Sequence, residues 1–378
     1  MLAYLCSVGS FLKSVLYIIL ALLVLMIMIV IHEFGHYTAG KIFKFKINEF
    51  SIGFGKAIFK KTKKNGEVFA IRCIPLGGYC AFEGEDEDGN VSPDAFNNKP
   101  WWQRIIVLFC GAFFNFLSAI IFSVVLLCVI GSGLTKIETV STLPSQYVDS
   151  AYTLQQGDVI KKVNGKTCTF LNGGFNGMVG AIKNNTEVIT LTIERVVDGK
   201  AQDLEVKIKK CAYTANNQLV ETETNDENLS YLIGVTNSYY NYSFGKALLK
   251  AVPFCFSIAW ECLVILGKLL IGQYSIKNLG GPITTINTIA TASSQNMLNL
   301  ILLFPLIAVN LAVFNLLPIP ALDGMRMVFV LIEAIRKKPI NRDVEAKIHG
   351  IGLMVLFGFV IIVDILKLFV FRWLWINF

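Results

Sequence analysis

Residues 15–36 read VLYIILALLVLMIMIVIHEFGH. A helix needs about 20 apolar residues to cross a bilayer, and this run, continued as a helix through His36, has that length. It leads directly into His32, Glu33 and His36 without the small-residue cleavage site of a signal peptide. We therefore predict a retained transmembrane helix that carries these polar side chains at its end.

The spacing of His32 and His36 is that of a metal-binding pair. Residues four apart lie on one face of a helix, so both imidazoles can hold one zinc ion while Glu33 serves as general base toward water. The alternative is a polar flank just past the membrane edge, because the pattern also occurs by chance. Ionisable residues at bilayer depth are costly and rare without a function, which favours the zinc site.

The composition is that of a membrane protein. Hydrophobic residues make up 54% of the 378 residues and charged residues 16%, whereas soluble chains usually have about 45–50% and about 25%. The net charge is +7, but the basic residues lie in loops beside apolar runs and form no stripe with aromatics. We therefore expect the lipid bilayer as a partner, and no nucleic acid and no small-molecule cofactor. The nine cysteines are scattered without a CxxC pair, which indicates neither a disulfide framework nor a zinc finger.

Further apolar segments predict a helical bundle. The predicted spans are 15–31, 105–130, about 298–317 and about 351–371. For the segment 251–271, which contains Pro253, Glu261 and Lys268, both a spanning helix and a helix lying in the interface remain open. The loops 41–104 and 326–347 are short and basic, so both should face the cytosol.

The segment between the second span and 251–271 differs from the rest. Strand-like runs at Val188–Val197 and Leu204–Ile208 accompany turn signals at Asn164-Gly165 and Asp198-Gly199, which predicts a small, mostly β insert. The fold class we expect is an α+β membrane protein: a bundle of about four transmembrane helices, a membrane-associated β-loop and one inserted, mostly β domain. The predicted divisions are 1–40 for the first transmembrane helix, 41–104 for the cytosolic β-loop, 105–130 for the second helix, 131–238 for the insert, 239–297 for a membrane-associated amphipathic segment and 298–378 for the third and fourth helices.

A third zinc ligand must come from elsewhere in the chain. A catalytic zinc needs three protein ligands and an open position, and the only further histidine is His349, which we expect at the membrane interface. Asp323 is the better candidate, because it follows an apolar run broken by Pro318 and Pro320. Irregular backbone at membrane depth requires protein or a water-filled cavity to satisfy it. The alternative, a turn Asp-Gly after a helix, would be preferred if the HExxH pattern were absent.

Asn315 lies within the same apolar run. An amide there can donate a hydrogen bond to a developing oxyanion, or it can make an interhelical hydrogen bond. The sequence leaves both roles open.

Together these motifs resemble the site-2 protease family of intramembrane zinc metalloproteases (peptidase family M50), in its RseP/RasP type with a single PDZ domain. The corresponding motifs are HExxH at His32–His36, Leu-Asp-Gly at Leu322–Gly324, a β-loop pattern at Ile74–Tyr79, PDZ-like patterns at Gln156–Ile160 and Val163–Gly165, and a segment at Gly280–Ile283 before the third span. The chain departs from the family pattern at Met325, where a glycine is usual, and at Ala112, where a proline is usual.

The resemblance implies a site and a role for each residue in it. His32, His36 and Asp323 would be Zn2+ ligands, Glu33 the catalytic base and Asn315 a transition-state stabiliser. The loop at Gly77, Gly78 and Tyr79 would bind an extended substrate as an added strand.

The implied activity is that of a zinc metalloendopeptidase of regulated intramembrane proteolysis. It would cut transmembrane segments of single-span membrane proteins, such as anti-sigma factors or signal-peptide remnants. The implied location is the bacterial plasma membrane, crossed several times, with the active site near the cytosolic side and the PDZ-like insert outside as a size filter.

Two other classes of protein compete with the protease. A membrane-anchored PDZ scaffold that binds peptide tails would explain the insert but not His32, Glu33, His36 and Asp323. A metal transporter would use intramembrane histidine and aspartate, but it needs neither Glu33 at this spacing nor the insert.

Overall fold

The computed structural model describes residues 2–85, 92–131, 133–169, 172, 174–182, 187–213, 219–220, 230–275, 280–295 and 297–366. The helices are α1 (Leu2–Ile42), α2 (Trp101–Val129), α3 (Gly174–Gly180), α4 (Phe244–Leu270), α5 (Pro282–Gln295), α6 (Asn299–Leu316), α7 (Asp323–Arg336) and α8 (Arg342–Ile365). The strands are β1 (Ile47–Thr62), β2 (Val68–Phe82), β3 (Thr135–Val140), β4 (Val159–Val163), β5 (Lys166–Thr167), β6 (Ile189–Val197), β7 (Lys200–Ile208), β8 (Cys211–Tyr213), β9 (Leu219–Val220), β10 (Ser230–Leu232) and β11 (Val235–Tyr239). The chain divides into two compact units, Met1–Ser123 with Lys250–Phe378 and Val124–Leu249.

Prolines and a capping asparagine mark several helix ends in the sequence. Pro100 directly precedes α2 and Pro282 opens α5, where the N–H that proline lacks would have no partner within the helix. Pro318 follows the end of α6, because the residue before a proline is driven out of the helical conformation. Asn341 caps α8, since its side chain accepts hydrogen bonds from the N–H groups of Asp343 and Val344.

In the described part of the chain, five helices are long and apolar enough to cross a membrane. They are Leu12–Ile42 within α1, and α2, α4, α6 and α8. The expected mixture of helix and sheet with long apolar helices is confirmed, while the number of spans stays a prediction. Helix α4 contains the ambiguous segment 251–271, and the last residues of the fourth predicted span, from 367 on, lie outside the described residues.

The hairpin β1–β2 folds back on itself. Gly53 and Gly55 have φ angles of 86° and 83°, a region open mainly to glycine, and β1 changes direction there. The first half of β1 consequently pairs on both sides, as Phe50 pairs with Cys80 across one edge and with Phe69 across the other. Within the described residues, the segment 78–82 is therefore an edge of this small sheet.

Close helix packing surrounds the end of α1. A Cβ at Gly35 would lie 2.2 Å from the carbonyl oxygen of Cys110, so α1 and α2 cross in direct backbone contact. Farther along α1, Met28 is fully buried and packs with Ala119 of α2 and Ala308 of α6. These contacts fix the helix that carries His32 and His36.

The second unit contains an antiparallel sheet in the order β11-β3-β4-β6-β7, with β5 paired to β4. Its core includes Ile160, Leu191 and Ile208, all fully buried. The hairpin β6–β7 turns at Asp198-Gly199, where both residues have positive φ (51° and 75°), as the tight two-residue hairpin turn requires.

Candidate metal centre

Two histidines of α1 and one aspartate at the start of α7 converge in the first unit. The Nε2 atom of His32 lies 2.9 Å from Oδ2 of Asp323 and 3.1 Å from Nε2 of His36. The Nε2 atom of His36 lies 3.3 Å from the same carboxylate oxygen. Among the described residues, these three side chains can hold a metal ion, with their ligand atoms all within 4.8 Å of one another.

This donor set fits zinc. A tetrahedral ion with bonds of about 2.0–2.1 Å separates its ligand atoms by roughly 3.3 Å, close to the separations found here. Two imidazoles and a carboxylate are also the three-ligand set that a catalytic zinc uses, with a fourth position left open. The sequence-predicted ligands are thus brought together, although Asp323 is 291 residues from His32.

The turn between α6 and α7 places Asp323. Ala321 has a φ of 79°, unusual for a residue other than glycine, and its N–H donates to Nδ1 of His349 at 2.9 Å. A Cβ at Gly324 would lie 2.3 Å from the carbonyl oxygen of Leu317, so only glycine fits there. Helix α8 therefore supports the turn that presents the carboxylate.

Helix α2 contacts both imidazoles from the other side. Nδ1 of His36 lies 2.8 Å from the carbonyl oxygen of Val107, so its N–H donates to that oxygen and Nε2 of the neutral ring is free to bind a metal. Nδ1 of His32 lies 3.2 Å from Nδ2 of Asn115. Between these contacts, a Cβ at Gly111 would lie only 2.4 Å from Nε2 of His36. Val107, Gly111 and Asn115 are four residues apart and so form one face of α2.

Sequence reasoning missed the role of this face. From the sequence, no role is predicted for Val107, Gly111 or Asn115. Their four-residue spacing, which places them on one face of a helix, was the available signal. His349, expected at the membrane interface, lines the same cavity as Asp323.

The predicted base lies beside the metal centre and the hairpin. Glu33 accepts a hydrogen bond through Oε2 from the backbone N–H of Cys80, at 3.0 Å. Glu33, Asp323 and His349 line a cavity of about 380 Å³. A carboxylate in this place can exchange a proton with a molecule in the cavity.

The loop predicted to bind substrate is the end of β2. A Cβ at Gly78 would lie 2.7 Å from the carbonyl oxygen of Ser51 and 3.6 Å from Cγ of Glu33, so the strand passes close to the predicted base. Gly77 has a φ of 130°, which strongly favours glycine. Tyr79 lines the cavity and donates its hydroxyl hydrogen bond to Glu49 at 2.9 Å. Burial and the Glu49 carboxylate raise the pKa of Tyr79, so it stays protonated.

Asn315 is not brought to the metal centre in the same way. It lies half-buried in α6, and no hydrogen bond joins it to the other site residues in the described part of the chain. Its role in stabilising the transition state stays a prediction.

The chain is similar to known metalloproteases along almost all of its length. The family model described as peptidase family M50 matches residues 20–359. A protein of Fusobacterium nucleatum named a zinc metalloprotease is 31% identical over 359 residues, covering 93% of this chain and 99% of the relative. A zinc metalloprotease of Helicobacter pylori is 31% identical over 367 residues, covering 93% and 97%. The regulator of sigma-W protease RasP of Bacillus subtilis is 27% identical over 429 residues, covering 89% and 95%.

These matches extend over the first unit and the insert alike. The names of the relatives indicate the activity, and the family model indicates the family. The enzyme is a membrane protein and a metalloprotease whose cofactor is Zn2+. The chain belongs to peptidase family M50.

Proposed function

We propose that this metalloprotease cuts peptide bonds within the transmembrane segments of single-span membrane proteins, in regulated intramembrane proteolysis. The observation that carries the proposal is the placement of the metal-binding histidines. His32 and His36 lie in a helix whose residues Leu12–Ile42 are long and apolar enough to cross a membrane. Leu12 and Leu16 of that helix remain 61% and 62% exposed, an apolar surface suited to lipid.

The chemistry follows from the side chains around the cavity. His32, His36 and Asp323 would hold the zinc ion. When bound, zinc polarises a carbonyl oxygen and lowers the pKa of water. The carboxylate of Glu33 takes a proton from the attacking water and returns it to the leaving amine. The N–H of Cys80 orients that carboxylate toward the cavity.

We assign substrate binding to the edge strand 78–82. A transmembrane helix hides its carbonyl groups in its own hydrogen bonds, so a substrate must unwind locally before it is cut. An unwound segment can add to the edge of β2 through backbone hydrogen bonds, with Gly77, Gly78 and Tyr79 at the point of contact. Because Gly78 lies close to Glu33, an added strand would run beside the metal centre.

The remaining roles are proposed on the same basis. Asn315 would stabilise the transition state from α6, with an interhelical hydrogen bond as the alternative. The insert, predicted as 131–238, would be a PDZ-like domain outside the plasma membrane that excludes substrates with large outer domains. The relative whose name describes a regulator of sigma-W supports membrane-bound regulators of transcription, of the anti-sigma type, as substrates.

Two variants test the proposal with purified full-length protein. Glu33→Gln should keep zinc, because Glu33 is not a ligand, yet should lose cleavage of a single-span reporter by at least 100-fold, the range of general-base catalysis. Asp323→Ala should lose zinc together with cleavage. Zinc content is measured by metal analysis and cleavage on gels. Undiminished cleavage by Glu33→Gln, or full zinc in Asp323→Ala, would refute the assigned roles.

A further inference from the structure

The two histidines differ in what holds their second ring nitrogen. His36 donates to the backbone carbonyl of Val107, which is always an acceptor. The Nδ1 atom of His32 instead faces the side chain of Asn115, whose Nδ2 is 3.2 Å away. Asn115 is fully buried, on the face of α2 that it shares with Gly111.

The amide of Asn115 can serve His32 in two ways. With Nδ2 facing the ring, Nδ1 must accept, and the ring proton sits on Nε2, 2.9 Å from Oδ2 of Asp323. That tautomer cannot bind a metal through Nε2, because the nitrogen has no lone pair available. A half-turn of the amide brings Oδ1 to the ring, where it accepts from Nδ1–H and leaves Nε2 unprotonated.

The half-turn breaks no hydrogen bond to a third group, because the partner of Nδ2 among the described residues is the His32 ring itself. Oδ1 of Asn115 is buried, and among the described residues it has no hydrogen-bond partner. A buried amide oxygen without a partner is unusual and needs a reason. An acceptor kept available for the N–H of His32 supplies one.

We propose that Asn115 is a positioning residue for the zinc site: its Oδ1 accepts from Nδ1–H of His32 and so holds the ring in the tautomer that binds zinc through Nε2. The inference rests on the ligand set proposed above. It assigns α2 a role in metal affinity, since one of its residues holds each histidine.

The test is zinc binding by the full-length protein in detergent, with zinc alone as the probe and a chelator as competitor. Asn115→Leu keeps the branched shape and the number of side-chain heavy atoms but removes the acceptor, and should weaken zinc binding about 10–100-fold, the usual effect of losing such a partner. Asn115→Asp keeps an oxygen that can only accept, so it should bind zinc within a few-fold of wild type. The NH2 group of Asn115 is absent from both variants, so a difference in zinc affinity between them isolates the acceptor oxygen from the donor.

Ser118→Ala is the matched control. Ser118 is on the same helix, and its hydroxyl donates to the backbone carbonyl of Asn115, at 2.8 Å, without touching the histidine. This variant should bind zinc as wild type does.

Two results would overturn the inference. One is wild-type affinity in Asn115→Leu, and the other is an Asn115→Asp variant that binds as weakly as Asn115→Leu, because then the NH2 end is the one that matters. An error in the proposed ligand assignment would give a different result, because His36→Ala and Asp323→Ala would then retain zinc. If those two variants lose zinc while Asn115→Leu does not, only the inference about Asn115 is wrong.

Discussion

At the scale of single residues, Gly111 is important to the metal centre because it has no side chain. Gly111 lets α2 lie directly against both imidazoles, since a Cβ there would be 2.4 Å from Nε2 of His36 and 2.8 Å from Cε1 of His32. Real Cβ atoms do not approach other atoms so closely, so the imidazole rings or one of the two helices would have to move. The metal centre is therefore sensitive to a single methyl group that carries no charge.

We expect Gly111→Ala to weaken zinc binding by at least 10-fold and to lower cleavage with it, because the added methyl displaces the ligand atoms. Competition with a chelator measures the first effect. Gly267→Ala is the control, as a Cβ there meets nothing within 4 Å in a helix of the same unit. Equal zinc affinity in both variants would show that α2 tolerates the methyl group and that the packing argument is wrong.

At the scale of elements, a polar cluster joins the hairpin to α1. Glu67 at the start of β2 is 2% exposed and accepts from Tyr37 of α1 at 2.9 Å and from Lys63 at 2.7 Å, with Lys41 as a further partner. Burial alone would raise the pKa of Glu67, but the hydrogen bonds from the two lysines and Tyr37 outweigh it and lower the pKa to about 2. The edge strand beside Glu33 belongs to the same hairpin, so this anchor contributes to its placement.

The anchor predicts a pH dependence of stability. The folded-state pKa of Glu67 lies below its ordinary value of 4.5. Its contribution to the free energy of unfolding is therefore complete above pH 4.5 and is lost as the pH falls toward 2. After allowance for the half-exposed lysines, the contribution is about 2 kcal/mol. Between pH 6 and pH 3, the unfolding temperature should therefore fall less steeply for Glu67→Gln than for wild type. Parallel curves for the two proteins would contradict the assignment.

At the scale of the whole molecule, the proposed metal centre would tie together distant parts of the first unit. It joins α1 near the amino terminus to the turn before α7, and α8 supports that turn through His349 and through Gly352, whose Cβ position lies 2.1 Å from Pro320. A bound ion would therefore connect α1 directly to the turn before α7.

Removing zinc should loosen this connection. Zinc at 100 times its dissociation constant would stabilise the folded protein by about 2.7 kcal/mol. A chelator should thus lower the unfolding temperature of the wild type by several degrees, with recovery on adding zinc. Asp323→Ala should unfold at the same temperature with and without chelator. An equal shift in both proteins would mean that the chelator acts elsewhere.

Local patterns in the sequence determined the parts of this protein that depend on near neighbours in the chain. The helix with His32, Glu33 and His36 follows from apolar length and a four-residue spacing, and the strands of the insert follow from their residues and turns. That Asp323 lies near His32 and His36 was inferred indirectly, from the small number of histidines and from the prolines that end the apolar run before Asp323. These features are local because helix and turn formation depend on residues a few positions apart.

Tertiary structure alone decided which groups complete the site. Val107 and Asn115 are 71 and 83 residues from the histidines that they contact, and Cys80 is 47 residues from Glu33. A four-residue spacing in the sequence can indicate a shared helix face, but not what that face contacts, since the contact depends on how closely glycines allow two backbones to approach. The same holds for the two-sided pairing of β1, which creates the edge at 78–82, and for His349, which packs against the turn before Asp323.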